Sequence, residues 1–296
     1  MSDARSGQVR ATDEVAIVVP FYKPHLDADE QVSLAHLEHY LGGYARYLAV
    51  PEGCSAALEG FGLKRFPERY FESPITYSAL MVAPAFYKAF ADFRFVLIYQ
   101  LDCLVFGDKL LDWCAMGYDY IGAPWLDVDF GAPFNVNLFE QPAVGNGGFS
   151  LRRVAAFLEV LTSRRLWLDP KEPRNEFLRA RPRGLRYSVL GRRPLSRSAY
   201  FNGVRPETRR WIKGTSTSRL CLGHEDIFWS FVARHYLPGF RTATVEDALR
   251  FSFELHPRKC FELNGGELPF GCHAWVKYDR DFWEPYLLPA GSVRTS

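Results

Sequence analysis

An α/β fold with a mostly parallel central sheet is what this sequence predicts, on three grounds. Short, wholly apolar runs at 15–19 and 95–101 read as strands buried on both faces. Helical stretches alternate with such runs, which is the pattern of a parallel sheet flanked by helices. The chain is also long enough: 296 residues, 48% hydrophobic and 16% aromatic, can bury one large core or two small ones.

The elements follow in order. Residues 15–19 stop at Pro20, which suits a first central strand followed by a loop of Phe21, Tyr22, Lys23 and Pro24. A helix is expected over 28–40 and a second strand at 48–50, before Pro51. Ser73 and Pro74 are a cap and a first-turn proline. Ile75, Leu80, Met81, Phe86, Tyr87 and Phe90 continue that helix, and Pro84 must kink or split it. The run at 95–101 ends on Asp102. Residues 108–116 form a short helix closed by Gly117, and 118–122 a further strand. Ser150 then caps an amphipathic helix with Leu151, Val154, Phe157, Leu158 and Leu161 on one face. At 167–218 periodicity fades while Pro, Gly, Ser and Arg accumulate, marking a basic irregular insertion. Regular structure returns at Gly223. With no internal repeat and no linker, a single domain is expected over 14–288, between flexible tails at 1–13 and 289–296.

The net charge of +2 hides an asymmetry. Residues 152–219 hold 18 of the 36 basic side chains but 5 of the 34 acidic ones, so the middle is strongly basic and the rest acidic. That excess suits an anionic partner: a donor diphosphate, a phosphorylated acceptor, anionic lipid or RNA. No RNA-binding motif accompanies it, which argues against nucleic acid. Six scattered cysteines form no CxxC pair, and residues 1–14 lack the apolar segment of a secretory leader. No run is long enough to span a bilayer. A cytoplasmic protein with reduced thiols, able to touch a membrane surface peripherally, is therefore expected.

Four distant segments hold polar groups in apolar surroundings. Asp102 ends a predicted buried strand, where open α/β sheets place ligands, although an Asp there also serves simply as a turn residue. Gly145, Asn146, Gly147 and Gly148 match neither GxGxxG nor a P-loop; they are either a turn or a backbone that lets a sugar or phosphate approach closely. Glu225 and Asp226 precede an apolar run, where acids favour a helix start whatever their function. Ionised at a crevice, one of them could take a proton from an attacking hydroxyl, and the helix start would keep it deprotonated at neutral pH. His273 lies among Phe270, Ala274 and Trp275 as either a satisfied core residue or a metal ligand.

The order of these motifs resembles the DUF5672 family, related to GT-A glycosyltransferases. The likeness rests on Val18, Val19 and Pro20, the segments 100–106, 118–125 and 145–152, Glu225 to Phe228, and 269–273. It implies a GT-A-like, Rossmann-like fold and a transferase that uses a nucleotide sugar. By that likeness Asp102 matches the first Asp of the DxD metal motif, Gly147 to Phe149 the sugar-pocket segment, Asp226 the catalytic carboxylate and His273 the late metal ligand. Leu104 stands where the second Asp belongs, which weakens the case for a divalent cation, Mn²⁺ or Mg²⁺.

The expected activity is transfer of a hexose or similar sugar from a nucleotide diphosphate to a hydroxyl of a cell-envelope glycan or other glycoconjugate. Pro20, Phe21 and Tyr22 would border the nucleoside, Gln100 and Asp102 the diphosphate or its metal, and Asn146, Gly147 and Gly148 the sugar. Asp226, with Glu225 in reserve, would be the base of an inverting displacement. Two other readings stay open: a catalytically silent nucleotide-sugar or carbohydrate binder, and an RNA or anionic-surface binder acting through the Arg-rich insertion.

Overall fold

The structure, a computed structural model, describes residues 14–23, 25–126, 144–163 and 224–288. Strand and helix alternate at first: β1 (Val15–Pro20), α1 (Ala28–Leu41), β2 (Ala45–Pro51), β3 (Gly62–Phe66), α2 (Pro74–Met81), α3 (Pro84–Lys88) and β4 (Phe95–Tyr99). Next come β5 (Leu104–Val105), α4 (Leu110–Ala115), β6 (Tyr120–Ile121), β7 (Phe149–Arg153) and α5 (Val154–Thr162). The last stretch holds α6 (Glu225–Ile227), α7 (Val245–Phe251), β8 (Ser252–Phe253), α8 (Pro257–Leu263), β9 (Gly271–Cys272) and α9 (Arg280–Trp283).

Six strands form one sheet in the order β3-β2-β1-β4-β7-β6. β1 pairs in parallel with β2 and β4, β2 pairs in parallel with β3, and β7 alone runs against its neighbours. The fold is thus the mostly parallel α/β sheet that the sequence predicts. β1 and β4 carry no polar residue on either face: Ala16, Val18, Val96 and Ile98 enter one core cluster, and Val15, Ile17, Val19 and Leu97 the other. Each such Val, Leu or Ile contributes roughly 1.5–3 kcal/mol through burial. The chain lays β2 and β3 on one side of β1 and β4 on the other, so a crevice opens beyond the carboxyl ends of β1 and β4.

A second sheet, β5-β9-β8, brings three distant segments together. Its registers set Leu104 and Phe253 each opposite Cys272. Asp102 just before β5, Glu254 just after β8 and His273 just after β9 therefore share one end of this sheet.

Local chemistry sets the helix starts. Asp27 caps α1 with Glu30 reciprocating, and Ser73 caps α2 with Thr76 doing the same. Pro84 opens α3 rather than continuing α2, the split its ring demands. Ser150 corrects the reading of a helix cap: it lies inside β7, and α5 begins only at Val154 with no side-chain cap. Phe149, Ser150, Leu151 and Arg152 alternate with the period of a strand, and pairing with Tyr99, Ile98, Leu97 and Val96 of β4 overrides the helical signal. β3 was hidden because it is an edge strand with polar Lys64 and Arg65. The expected tails and the basic insertion at 167–218 lie outside the described residues. Among the described residues no helix is long and apolar enough to cross a membrane, and Cys54, Cys103, Cys114, Cys260 and Cys272 are free thiols.

Candidate active site

A cavity of about 590 Å³ opens at the carboxyl ends of β1 and β4, a size suited to a small-molecule ligand. Pro20, Phe21 and Tyr22 wall one side, Gln100 and Asp102 line it from the end of β4, and Tyr77 reaches it from α2. Five of the residues singled out from sequence thus share one pocket. Tyr22 is 58% exposed with its ring 6.4 Å from that of Phe71, also on the wall. The rim is acidic, with Asp27, Asp29, Glu30 and Glu72. Its one lysine, Lys23, is paired with Glu30 at 2.8 Å and Asp27 at 3.7 Å.

At the end of β4, Asp102 meets His273. The Asp102 Oδ1 to His273 Nε2 distance is 3.4 Å, and Gln100 Oε1 is 3.2 Å from the same nitrogen. Oδ1 is itself buried without a hydrogen-bond partner. On the far side of the ring, His273 Nδ1 lies 2.8 Å from Glu254 Oε1. Burial disfavours the imidazolium, yet the Asp102 charge and the hydrogen-bonded Glu254 carboxylate outweigh it and raise His273 to about 10. Burial likewise pushes Asp102 up, but the His273 charge wins and holds its carboxyl below the usual range. Leu104 is fully buried in an apolar cluster with Phe253, Cys272 and Trp275. The position of the missing second Asp is therefore a core position, where a carboxylate would be desolvated without a partner.

The glycine turn has a different purpose from the one its sequence suggests. Gly148 and Phe149 donate their N–H groups to Asn146 Oδ1 at 2.6 and 3.0 Å, so those amides are spent inside the turn. Asn146 and Gly148 are buried. A Cβ at Gly148 would sit 2.1 Å from His273 Nε2, and one at Gly147 2.5 Å from Glu225 Oε1. These glycines make room for the imidazole and the carboxylate. Asn146 and Gly148 thus serve the packing of the turn, and Gly147 alone of the three is partly exposed.

Glu225, the reserve base, is buried. Its Oε1 accepts from Arg152 Nη2 at 2.9 Å with both side chains in the core. The same guanidinium donates to Ser150 Oγ, Tyr87 hydroxyl and the Gly147 carbonyl at 3.0, 3.0 and 3.3 Å. Arg152 thus ties β7, α3, the glycine turn and α6 into one buried network, and α6 packs in turn on α2, which carries Tyr77.

Asp226 is the partly exposed member of the acidic pair. It does not line the pocket; it connects through Glu254, whose charge reaches it. The sequence suggested a carboxylate kept ionised by a helix start. Instead α6 is three residues long, and burial together with the charges of Glu225 and Glu254 raises Asp226 to about 8, despite the Ile227 N–H bond at 2.9 Å. Among the described residues no group of three His, Cys, Asp or Glu converges as metal ligands, so a cation here would rest on Asp102 Oδ1, His273 Nε2 and Gln100 Oε1.

Residues 60–273 match the family described as "Protein of unknown function (DUF5672)". The chain belongs to the DUF5672 family. The match takes in Asp102, the glycine turn, Asp226, Glu254 and His273, while the pocket wall of Pro20 to Tyr22 lies outside it. No curated protein matches the sequence. Among solved structures, this DUF5672 chain is similar to the apo-form glycosyltransferase GlyE of Streptococcus pneumoniae TIGR4, at 12% identity and a TM-score of 0.44, covering 94% of this chain and 61% of that one. It is also similar to a glycosyltransferase involved in glycosylation of the major capsid of PBCV-1, at 9% identity and a TM-score of 0.39, covering 92% and 98%. The chain spans about three fifths of the length of the pneumococcal protein. Likenesses this distant say nothing of activity.

Sequence reasoning missed Glu254, Arg152 and Tyr77. Glu254 carries the same signal as Asp102, a carboxylate ending an apolar segment, Phe251 to Phe253. Arg152 was hidden at the head of an arginine-rich stretch of sequence. The Tyr77 hydroxyl, buried without a hydrogen-bond partner at the pocket wall, is visible only in three dimensions.

Proposed function

We propose that this protein is a glycosyltransferase that moves a sugar from a nucleoside-diphosphate donor to a hydroxyl of a glycan or glycoconjugate acceptor. The observation that carries the reading is the meeting of His273 with Asp102 and Gln100, two residues just beyond the end of β4 on the wall of a 590 Å³ pocket. Aromatic Phe21, Tyr22 and Phe71 suit a base, and the acidic rim suits ribose and sugar hydroxyls, which donate to carboxylates.

The side chains at Asp102 also fit a divalent cation: one imidazole nitrogen and two oxygens, one of them an orphaned carboxylate oxygen, suit Mn²⁺ or Mg²⁺ completed by diphosphate and water. When bound, such an ion offsets the charge that grows on the departing diphosphate. Asp226 then supplies the base. The acceptor oxygen attacks the anomeric carbon, its proton passes to the Asp226 carboxylate, and the bond to the diphosphate oxygen breaks, inverting that carbon. General-base assistance of this kind contributes roughly 10²–10⁴-fold.

A base must be unprotonated. With Asp226 at about 8, kcat/KM for the free enzyme rises as pH climbs through 8. The same raised value favours a second reading, a binder that is silent at neutral pH. A thermal-shift screen of nucleoside diphosphates and their sugars, with and without Mn²⁺, tests the pocket, because a ligand of the native state raises Tm by mass action. Donor hydrolysis or transfer that falls at least 10²-fold in Asp226→Asn supports the enzyme. Binding without turnover at any pH supports the silent binder, and no thermal response from any donor removes both readings.

A further inference from the structure

We infer that Glu254 is a positioning residue: it orients His273 so that the ring presents Nε2 to Asp102 Oδ1 and Gln100 Oε1, and thereby completes a cation seat that needs no carboxylate at position 104. The inference rests on the glycosyltransferase reading only for what the seated cation is used for.

Three observations converge on it. The pairing of β8 with β9 sets Phe253 opposite Cys272, and the His273 N–H donates to the Phe253 carbonyl at 3.0 Å, so residues 254 and 273 leave the sheet side by side. Glu254 Oε1 then lies 2.8 Å from Nδ1, with both side chains largely buried. A carboxylate there accepts from Nδ1–H, so the proton that a cation would displace is the one on Nε2, towards Asp102 and Gln100. Metal-ligating histidines are commonly held this way, with the second nitrogen bonded to a carboxylate. Finally, the ring has nowhere else to turn. Gly148 backs it so closely that a Cβ would fall 2.1 Å from Nε2.

The fixed ring also accounts for Leu104. A seat made of one imidazole nitrogen, one carboxylate oxygen and one amide oxygen takes its second oxygen ligand from Gln100 rather than from a DxD partner. Leu104 remains free to fill the core beside Trp275.

The test uses the full chain and Mn²⁺ alone, with free ion counted by electron paramagnetic resonance. Wild type binds Mn²⁺, His273→Ala does not, and Glu254→Ala binds 10- to 100-fold more weakly. Glu254→Gln, whose amide oxygen still accepts from Nδ1–H, loses less than Glu254→Asp, whose shortened arm no longer reaches. A merely structural role would instead weaken every ligand. Metal-free binding of nucleoside diphosphate, read by thermal shift, is therefore expected to be unchanged in Glu254→Gln and Glu254→Asp. Equal Mn²⁺ affinity in wild type and the Glu254 variants overturns the inference, as does a wild type that binds no Mn²⁺. Mn²⁺ bound in the expected order by a protein that takes no nucleotide sugar leaves the role of Glu254 standing and removes the transferase reading.

Discussion

The two sides of the site are built on opposite principles. On the pocket side, Phe21, Tyr22, Gln100 and Asp102 sit at strand ends, where sheet topology alone delivers them to a crevice. Asp102 is 46% exposed there and meets the largely buried His273. On the Asp226 side, Arg152, Glu225, Asn146 and Gly148 are buried and tied into a network of their own. The first side offers groups to a ligand, and the second spends its polar groups internally to place a few others. The same residue types, glycine, arginine and glutamate, therefore mean different things on the two sides.

The largest test of that division is the buried ion pair. Arg152→Ala leaves Glu225 uncompensated in the core and is expected to cost about 3–5 kcal/mol, measured as a loss of unfolding free energy in urea. Replacing both partners, Arg152→Met with Glu225→Leu, removes the stranded charge and costs much less than Arg152→Ala alone. Lys23→Ala on the pocket rim, where the pair is exposed, stays within about 0.5 kcal/mol. An Arg152→Ala variant as stable as Lys23→Ala would erase the distinction.

A smaller effect separates glycines that pack from glycines that do not. Gly148→Ala drives a methyl group into His273 and is expected to cost about 1–3 kcal/mol, with a loss of Mn²⁺ binding alongside. Gly147→Ala meets the Glu225 carboxylate and behaves similarly in stability. Gly43→Ala, with no atom within 4 Å of the added carbon, changes the urea midpoint little or raises it. Three equal responses would mean that the turn relaxes freely and that its glycines serve the ligand after all.

How much was legible in the sequence follows the same line. β1 and β4, and with them Pro20, Tyr22 and Asp102, were readable because a doubly buried strand must be a continuous apolar run and its end is where the crevice lies. Asp226 and His273 were locatable as polar residues interrupting apolar surroundings. What the sequence could not say was which partner each finds. Glu225 and Asp226 are adjacent, yet one pairs with a guanidinium from β7, while burial and the charges of Glu225 and Glu254 raise the other to about 8. Ser150 misled because four residues of alternation were read with the following helix, and only pairing with β4 decides between the two periods.

The smallest expected effect concerns a third way of burying a polar group. His36, fully buried in α1, has its Nδ1 2.9 Å from the Val105 carbonyl and accepts the Leu288 N–H on Nε2 at 3.0 Å. That pattern requires the neutral ring, and burial lowers its proton affinity below the ordinary value of 6.5. The unfolded chain therefore binds a proton near pH 6.5 that the folded chain refuses. The contribution of His36 is fully present above that pH and is lost as pH falls below it. Asp226 acts oppositely, since its raised carboxyl keeps a proton that the unfolded chain gives up at lower pH. Comparing urea midpoints at pH 7.5 and 5.5 in wild type and His36→Gln cancels that opposing trend. Wild type should lose more on acidification than the variant, by well under the cost of breaking the Arg152 pair. If the two lose equally, His36 takes up its proton inside the fold. Ring neutrality would then play no part in tying α1 to β5 and the Leu288 backbone.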